Sequence, residues 1–312
     1  MRSACLTLLG AALAVAACNR GKDAARQPVV ALVPKTMNNP FFVDMVRGAQ
    51  AAADSLHVTL VVEAPEREID PNAQMQIVEN LVQRGVAVLA IVPNGSREIV
   101  PAVVKANQAG IPVVNVDTRL DTAALRRAGG TVATFIGSDN VDGGRLAGKF
   151  LAQQLGGRGD VAVLEGVPGH ETSDSRLRGF REAVAAFPGL HIVSSQPANM
   201  ERDQAFTVTQ NVLQAHPGVK GVFAANDVMA LGALEAIAAR RAGVVVVVGF
   251  DAQEDARAAI RDGRMAASIA QHPAEMGRRA VESAWRILHK QPVPAEQPVT
   301  IELITKRNAG AP

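Results

Sequence analysis

The chain has 312 residues, 32 Lys and Arg against 30 Asp and Glu, and a formal net charge of +2. At 48% hydrophobic and 20% charged it has the make-up of a globular protein long enough for two domains, while 3% aromatics, with no Tyr and one Trp, argue against a carbohydrate platform of many stacked rings. The charge balance argues against nucleic-acid binding, two cysteines exclude a disulfide framework, and six scattered histidines show no zinc-ligand spacing, so no metal or cofactor is expected.

The N-terminus opens on Met1-Arg2 and an apolar stretch from Leu6 to Val15, too short to span a bilayer and suited to a secretory signal. The following Val15-Ala16-Ala17-Cys18 resembles the lipobox of bacterial lipoproteins, where cleavage precedes the cysteine and its thiol is acylated. Residues 1–17 are therefore expected to be a signal peptide and Cys18 the lipid anchor; the polar stretch 18–27 reads as a tether. Export to the periplasm or the outer face of the cytoplasmic membrane follows, with a single anchoring cysteine left after removal of Cys5.

From Val29 the pattern alternates between strand-length apolar runs and amphipathic helices. Strands are expected at Val29–Val33, Val58–Val62, Ala87–Val92, Val113–Val116 and Thr134–Ile136, then at Val161–Leu164, Ile192–Ser194, Gly221–Ala224, Val244–Val248 and Ala266–Ile269. The intervening helices include Phe42–Leu56, Ala73–Arg84, Glu98–Ala109, Asp142–Leu155, Arg176–Ala186 and Met229–Arg240, with C-caps expected at Gly85, Gly110, Gly156 and Gly243. A last helix, Ala274–His289, and a strand, Val299–Leu303, finish the chain. The alternation implies an α/β protein with two doubly wound parallel-sheet lobes.

The strands end in polar residues: Asn38-Asn39, Asn94, Asp117, Ser138-Asp139, Asn226-Asp227, Asp251 and Gln271. Ligands of open parallel sheets bind beyond these carboxyl ends. For Ser138, Asp139 and Asp227 capping or turn-making is the better reading; for Asp117, Asn226, Asp251 and Gln271 a site that pairs with vicinal hydroxyls is preferred. The Gly143-to-Phe150 stretch nearly matches a phosphate loop, yet it lies inside a helical pattern and has Phe150 where a hydroxyl belongs. His170-Glu171 lacks a nucleophile at readable spacing, so no enzymatic activity is expected.

Met37-Asn38-Asn39-Pro40-Phe41-Phe42, Ala225-Asn226-Asp227, Gly249-Phe250-Asp251 and Ala270-Gln271 together resemble the ribose-binding-protein family, the type I periplasmic sugar-binding proteins of ABC importers. The resemblance implies two Rossmann-like lobes joined by a three-segment hinge, with residues 28–138 and 272–300 in one lobe and 139–271 and 301–312 in the other. It implies a monomer that closes on a sugar and delivers it to a permease with its ATPase. Carried over, Asn39, Phe41 and Phe42 are first-lobe contacts, Asp117 accepts from hydroxyls, and Arg176, Asn226, Phe250, Asp251 and Gln271 complete the ligand set. The pocket departs from the family's ribose binders at Thr118, where they have arginine, at Met200, where they have an aromatic ring, and at Lys35, where a small hydroxyl residue is common. Pentose, hexose and polyol ligands all stay open, as does a sensing role on a chemoreceptor or kinase. A DNA-binding regulator with this core would need an N-terminal helix-turn-helix in place of the export signal.

Overall fold

The computed structural model describes residues 28–310 apart from 242; Cys5, the lipobox with Cys18 and the tether lie outside the described residues. Elements are numbered along the chain. The first lobe is built on β1 (Val29–Val33), β2 (Thr59–Val62), β3 (Val88–Ile91), β4 (Val113–Val116) and β5 (Thr134–Gly137), with α1 (Pro40–Leu56), α2 (Pro71–Gln83), α3 (Val100–Gln108) and α4 (Thr122–Arg127) between them. The second holds α5 (Asn140–Gln154), β6 (Arg158–Glu165), α6 (Glu171–Val184), β7 (Gly189–Pro197), α7 (Arg202–Ala215), β8 (Val219–Ala224), α8 (Asp227–Ala239), β9 (Val246–Asp251), α9 (Glu254–Arg261) and β10 (Ala267–Ala270). The chain then returns through α10 (Pro273–Leu288) and β11 (Glu296–Pro298) to the first sheet, and ends with β12 (Glu302–Thr305) in the second.

Each sheet has six strands, in the orders β11-β5-β4-β3-β1-β2 and β12-β10-β9-β8-β6-β7. The first sheet is parallel throughout; in the second only β12 runs antiparallel, against β10. In β1, Val30 and Leu32 join one apolar cluster while Ala31 and Val33 join another. A strand covered by helices on both faces gains from apolar residues at every position, which explains the unbroken runs.

The lobes repeat one packing device. α1 lies against α10 at Gly48 and Gly277, where a Cβ would sit 1.9 Å from the carbonyl oxygens of Ala274 and Met45 respectively. α5 lies against α6 at Gly144 and Gly179, where the same substitution would meet Arg176 O at 2.0 Å and Val141 O at 1.9 Å. Of the phosphate-loop-like glycines, Gly144 and Gly148 thus form a helix-packing face against α6.

Several local expectations are corrected. The valine run enters its sheet only at Val246; Val244 is 90% exposed, because β9 is displaced to end at Asp251 and bring that acid to the cleft. β7 is longer than expected, following β6 through a register shift. The single terminal strand expected at Val299–Leu303 is two strands on either side of a crossing between lobes. Gly85, Gly110 and Gly156 take positive φ after helices, but after α8 Arg241 does so (φ 50°) in place of Gly243.

Candidate functional site

The carboxyl ends of both sheets face one another across a cleft that holds a small, tight inner chamber. Lys35, Asn39, Phe41, Phe42, Glu68 and Asp117 line it from the first lobe. Thr172, Arg176, Met200, Asn226 and Asp251 line it from the second. A wider groove continues outward past Arg67 and Glu201 and shares Asn39, Glu68 and Met200 with the chamber.

The two acids sit on strained backbone at matching places. Asp117 follows β4 with φ 58°, and Asp251 closes β9 with φ 109°, followed by Ala252 at 51°. A non-glycine residue in such a conformation costs about 1–3 kcal/mol and persists only where its surroundings impose it. Thr118 N–H donates to Val116 O at 2.7 Å, and Asp117 N–H donates to Ile136 O at 2.7 Å. At Asp251 the turn is braced by Ala252 N–H to Ser268 Oγ (3.0 Å) and Gln253 N–H to Asp227 Oδ2 (2.8 Å). Ser268 in turn donates to Asp227 Oδ1 at 2.7 Å. Asp227 is therefore the brace of the Asp251 turn, while the cap of α8 is Asn226, whose Oδ1 accepts from Met229 N–H.

Arg176 is buried with a fixed orientation. Its Nε donates to Asn140 Oδ1 at 2.8 Å and Nη1 to the Ala225 carbonyl at 2.7 Å. Nη1 also lies 3.5 Å from Asp251 Oδ1, and the guanidinium stacks 3.9 Å over the Phe250 ring. Phe250 does not line the chamber: its ring fills the space at Gly143 and supports the arginine from below. Gln271 likewise stands behind the lining, donating to Asp251 Oδ1 at 2.9 Å. Thr118 also lies outside the lining, fully buried with its hydroxyl 3.1 Å from Asp117 Oδ2.

The remaining groups carry an unspent polarity. Asp117 Oδ1 and Asn226 Nδ2, an acceptor and a donor on residues that line the chamber, are buried without partners, as is Gln271 Oε1 behind the lining. Such groups cost about 1–3 kcal/mol each unless a ligand or water pairs with them. The Phe41 and Phe42 rings meet edge to face at 5.2 Å and supply an apolar wall. Burial raises the Asp251 pKa to about 7 against the attraction of Arg176 and the Gln271 hydrogen bond; repulsion from Asp117 and Glu68 adds to the rise. Burial, with repulsion from Asp251 behind it, also raises Asp227.

Asn39 proves busier than its expected role. Its Oδ1 caps α1 through Phe41 N–H (3.0 Å) and accepts from Gln253 Nε2 of the opposite lobe (2.9 Å), while Nδ2 donates to Glu68 Oε1 (3.0 Å). One amide hydrogen is left for a ligand. Glu68, Thr172, Asn140 and Gln253 carry no motif; the Glu66-Arg67-Glu68 run reads in sequence as an ordinary solvated loop. His170 begins α6 as its N-cap residue, and Glu171 accepts from Ser175 Oγ, so the two do not form an acid-base pair. No cluster of metal-ligating side chains is present among the described residues.

Residues 30–292 match the periplasmic binding protein domain. The chain belongs to the periplasmic binding protein family. It is 40% identical to the ribose import binding protein RbsB of Escherichia coli over 285 residues, 91% of this chain and 93% of that one. It is 37% identical to the D-ribose/D-allose-binding protein of Pseudomonas aeruginosa over 294 residues, covering 91% and 90% of the two chains. Among solved structures, an ABC transporter solute-binding protein from Actinobacillus succinogenes with bound D-allose superposes with a TM-score of 0.85. It is 37% identical, and the match covers 91% of this chain and 99% of that one. Like these relatives, this family member is a binding protein and not an enzyme.

Proposed function

We propose that this periplasmic binding protein is the lipid-anchored receptor of a sugar ABC importer, holding one monosaccharide of the ribose or allose type between closing lobes. The observation that carries the reading is the pair of unpartnered buried groups on the lining, Asp117 Oδ1 and Asn226 Nδ2, in a chamber walled by Phe41 and Phe42. A sugar ring offers that chamber an apolar face and hydroxyls that both donate and accept. Asp117 and Asp251 accept from the hydroxyls, Arg176 and Asn226 donate to them, and Met200 covers the ring from the second lobe. Similar proteins that bind ribose and allose support the same ligand class.

In this reading residues 28–138 with 272–300 move as one body against 139–271 with 301–312. The three crossings after β5, after β10 and after β11 serve as the hinge. Cys18 carries the acyl anchor, and the closed monomer docks on a permease coupled to an ATPase. A thermal-shift panel of pentoses, hexoses and polyols tests the proposal. A ligand at a thousand times its dissociation constant stabilises the folded state by about 4 kcal/mol, so a true ligand gives a clear rise in Tm. A panel in which only amino acids or organic anions raise Tm would overturn the sugar assignment.

A further inference from the structure

The first lobe sorts its charges along the strand direction. Its sheet is parallel throughout, so the strand starts and the helix ends lie together at the end of the lobe away from the cleft. Arg126 and Arg127 close α4 there, Arg286 lies in the last turn of α10, and Lys290 follows that helix. All are exposed, and none forms an ion pair among the described residues. The acids in the last two turns of the lobe's helices, Asp54, Glu79 and Glu282, already accept from Gln50, Lys105 and Arg278. The loops that lead from these helices back into strands hold no acid. The cleft end has the reverse sign: the loop between β2 and α2 alone carries Glu63, Glu66, Glu68 and Asp70 against Arg67.

Helix dipoles favour a cation in a last turn, yet α4 has only 6 residues and ends in both Arg126 and Arg127, and Lys290 stands beyond α10. Dipole compensation leaves these charges in excess. The same end receives the tether: Val29 opens β1, and residues 18–27 precede it with Arg20, Lys22 and Arg26 against Asp23. Fully extended, residues 18–27 span about 36 Å at most, so acyl chains on Cys18 keep a bilayer within reach of this end. A basic cluster beside a membrane anchor attracts anionic headgroups over about a Debye length. The same surface repels the acidic cleft end, and the two effects together decide which end faces the lipid.

Resting on the lipid-anchor reading above, we propose that the basic end of the first lobe, with Arg126, Arg127, Arg286 and Lys290, docks on anionic phospholipid headgroups of the bilayer that holds Cys18. The bound pose turns the cleft away from that bilayer, toward incoming sugar, and the protein leaves the pose when it docks on its permease. The acylated protein, reconstituted in vesicles of phosphatidylcholine alone or with phosphatidylglycerol added, tests the surface. With Cys5 removed and Cys18 acylated, a dye on Gln108→Cys marks the basic end, where α3 closes, and one on Asn72→Cys marks the cleft end, where α2 begins. Energy transfer from the Gln108→Cys dye to a lipid-borne acceptor is expected to rise about twofold or more when phosphatidylglycerol is added, with no rise from the Asn72→Cys dye. Salt at about 1 M, where the Debye length is about 3 Å, should erase the rise. So should the joint replacement Arg126→Gln, Arg127→Gln, Arg286→Gln and Lys290→Gln, with sugar affinity unchanged. Equal transfer from the Gln108→Cys dye in both kinds of vesicle, a rise shared by both dyes, or a rise that survives both salt and the joint replacement overturns this proposal alone. Protein that enters neither kind of vesicle overturns the lipid-anchor reading with it.

Discussion

Gln253 reaches across the cleft and donates from Nε2 to Asn39 Oδ1 at 2.9 Å, while its own backbone N–H is held by Asp227 at 2.8 Å. Asn39 in turn holds Glu68, and Gln253 lies two residues beyond the strained Asp251. The turn that presents the second-lobe acid to the chamber is therefore the turn that fastens the lobes together. In the proposed reading, ligand contact and closure share one short run of backbone.

Closure is expected to depend on Gln253 more than on the exposed ion pair at the rim. Arg67 and Glu201 also bridge the lobes, at 2.6 Å, but their side chains are 53% and 36% exposed. Exposed pairs contribute about 0–1 kcal/mol. Arg67→Ala should thus change sugar affinity by about fivefold at most, and Gln253→Ala by more. Small-angle scattering at saturating sugar checks the mechanism: the wild type should compact on binding, and no compaction would remove the clamshell closure.

Removing either acid should weaken sugar binding without unfolding the protein. Hydrogen bonds to charged groups contribute about 1.5–3 kcal/mol, so Asp117→Ala and Asp251→Ala should each lose about ten- to a hundredfold in affinity by calorimetry. Equal affinities in wild type and Asp251→Ala would show that this carboxylate does not touch the ligand.

The raised pKa of Asp251 gives binding a pH dependence of definite sign. A hydroxyl that donates to Asp251 favours the ionised carboxylate, so binding lowers its pKa from about 7 and releases protons near and below that pH. Affinity should be fully present above pH 7 and fall by up to about tenfold per unit as pH drops below it. For the ligand-free protein the sign is opposite: a carboxyl raised above its unfolded value stabilises the fold below the unfolded pKa, and that contribution is lost as pH rises through about 7. Titrations at pH 5.5 and 8 with wild type and Asp251→Asn check the binding effect; the variant should have a much flatter profile.

The helix contacts at the small residues should tolerate no side chain. At Gly144 a Cβ would sit 2.0 Å from the Arg176 carbonyl, backbone that can yield only by separating α5 from α6. Gly144→Val should destabilise by about 1–3 kcal/mol or more and loosen Arg176 as well. Thermal unfolding reads the first effect and sugar affinity the second.

Cys18→Ser should release the protein from the membrane fraction or block its processing, since stable anchoring takes more than one acyl chain on the modified terminus. A variant that stays membrane-bound with unchanged gel mobility would contradict the lipobox reading.

The alternating pattern by itself determined the two-lobed α/β architecture, because strands covered on both faces must be apolar at every position, as Val30 to Val33 are. It also placed polar residues such as Asp117, Asn226 and Asp251 at the strand ends, where parallel sheets present ligand sites. What it left open are relations between residues distant in the chain. That Asn39 serves Phe41, Gln253 and Glu68 at once, or that Phe250 supports Arg176 instead of lining the chamber, depends on two lobes meeting. The same holds for the replacement of the single strand expected at Val299–Leu303 by β11 before it and β12 at its end, which belong to different sheets. Periodicity reports which face of an element is buried; it carries no information on which distant side chain lies opposite. Only the tertiary structure brought Glu68, from a charged loop, into the same chamber as Lys35.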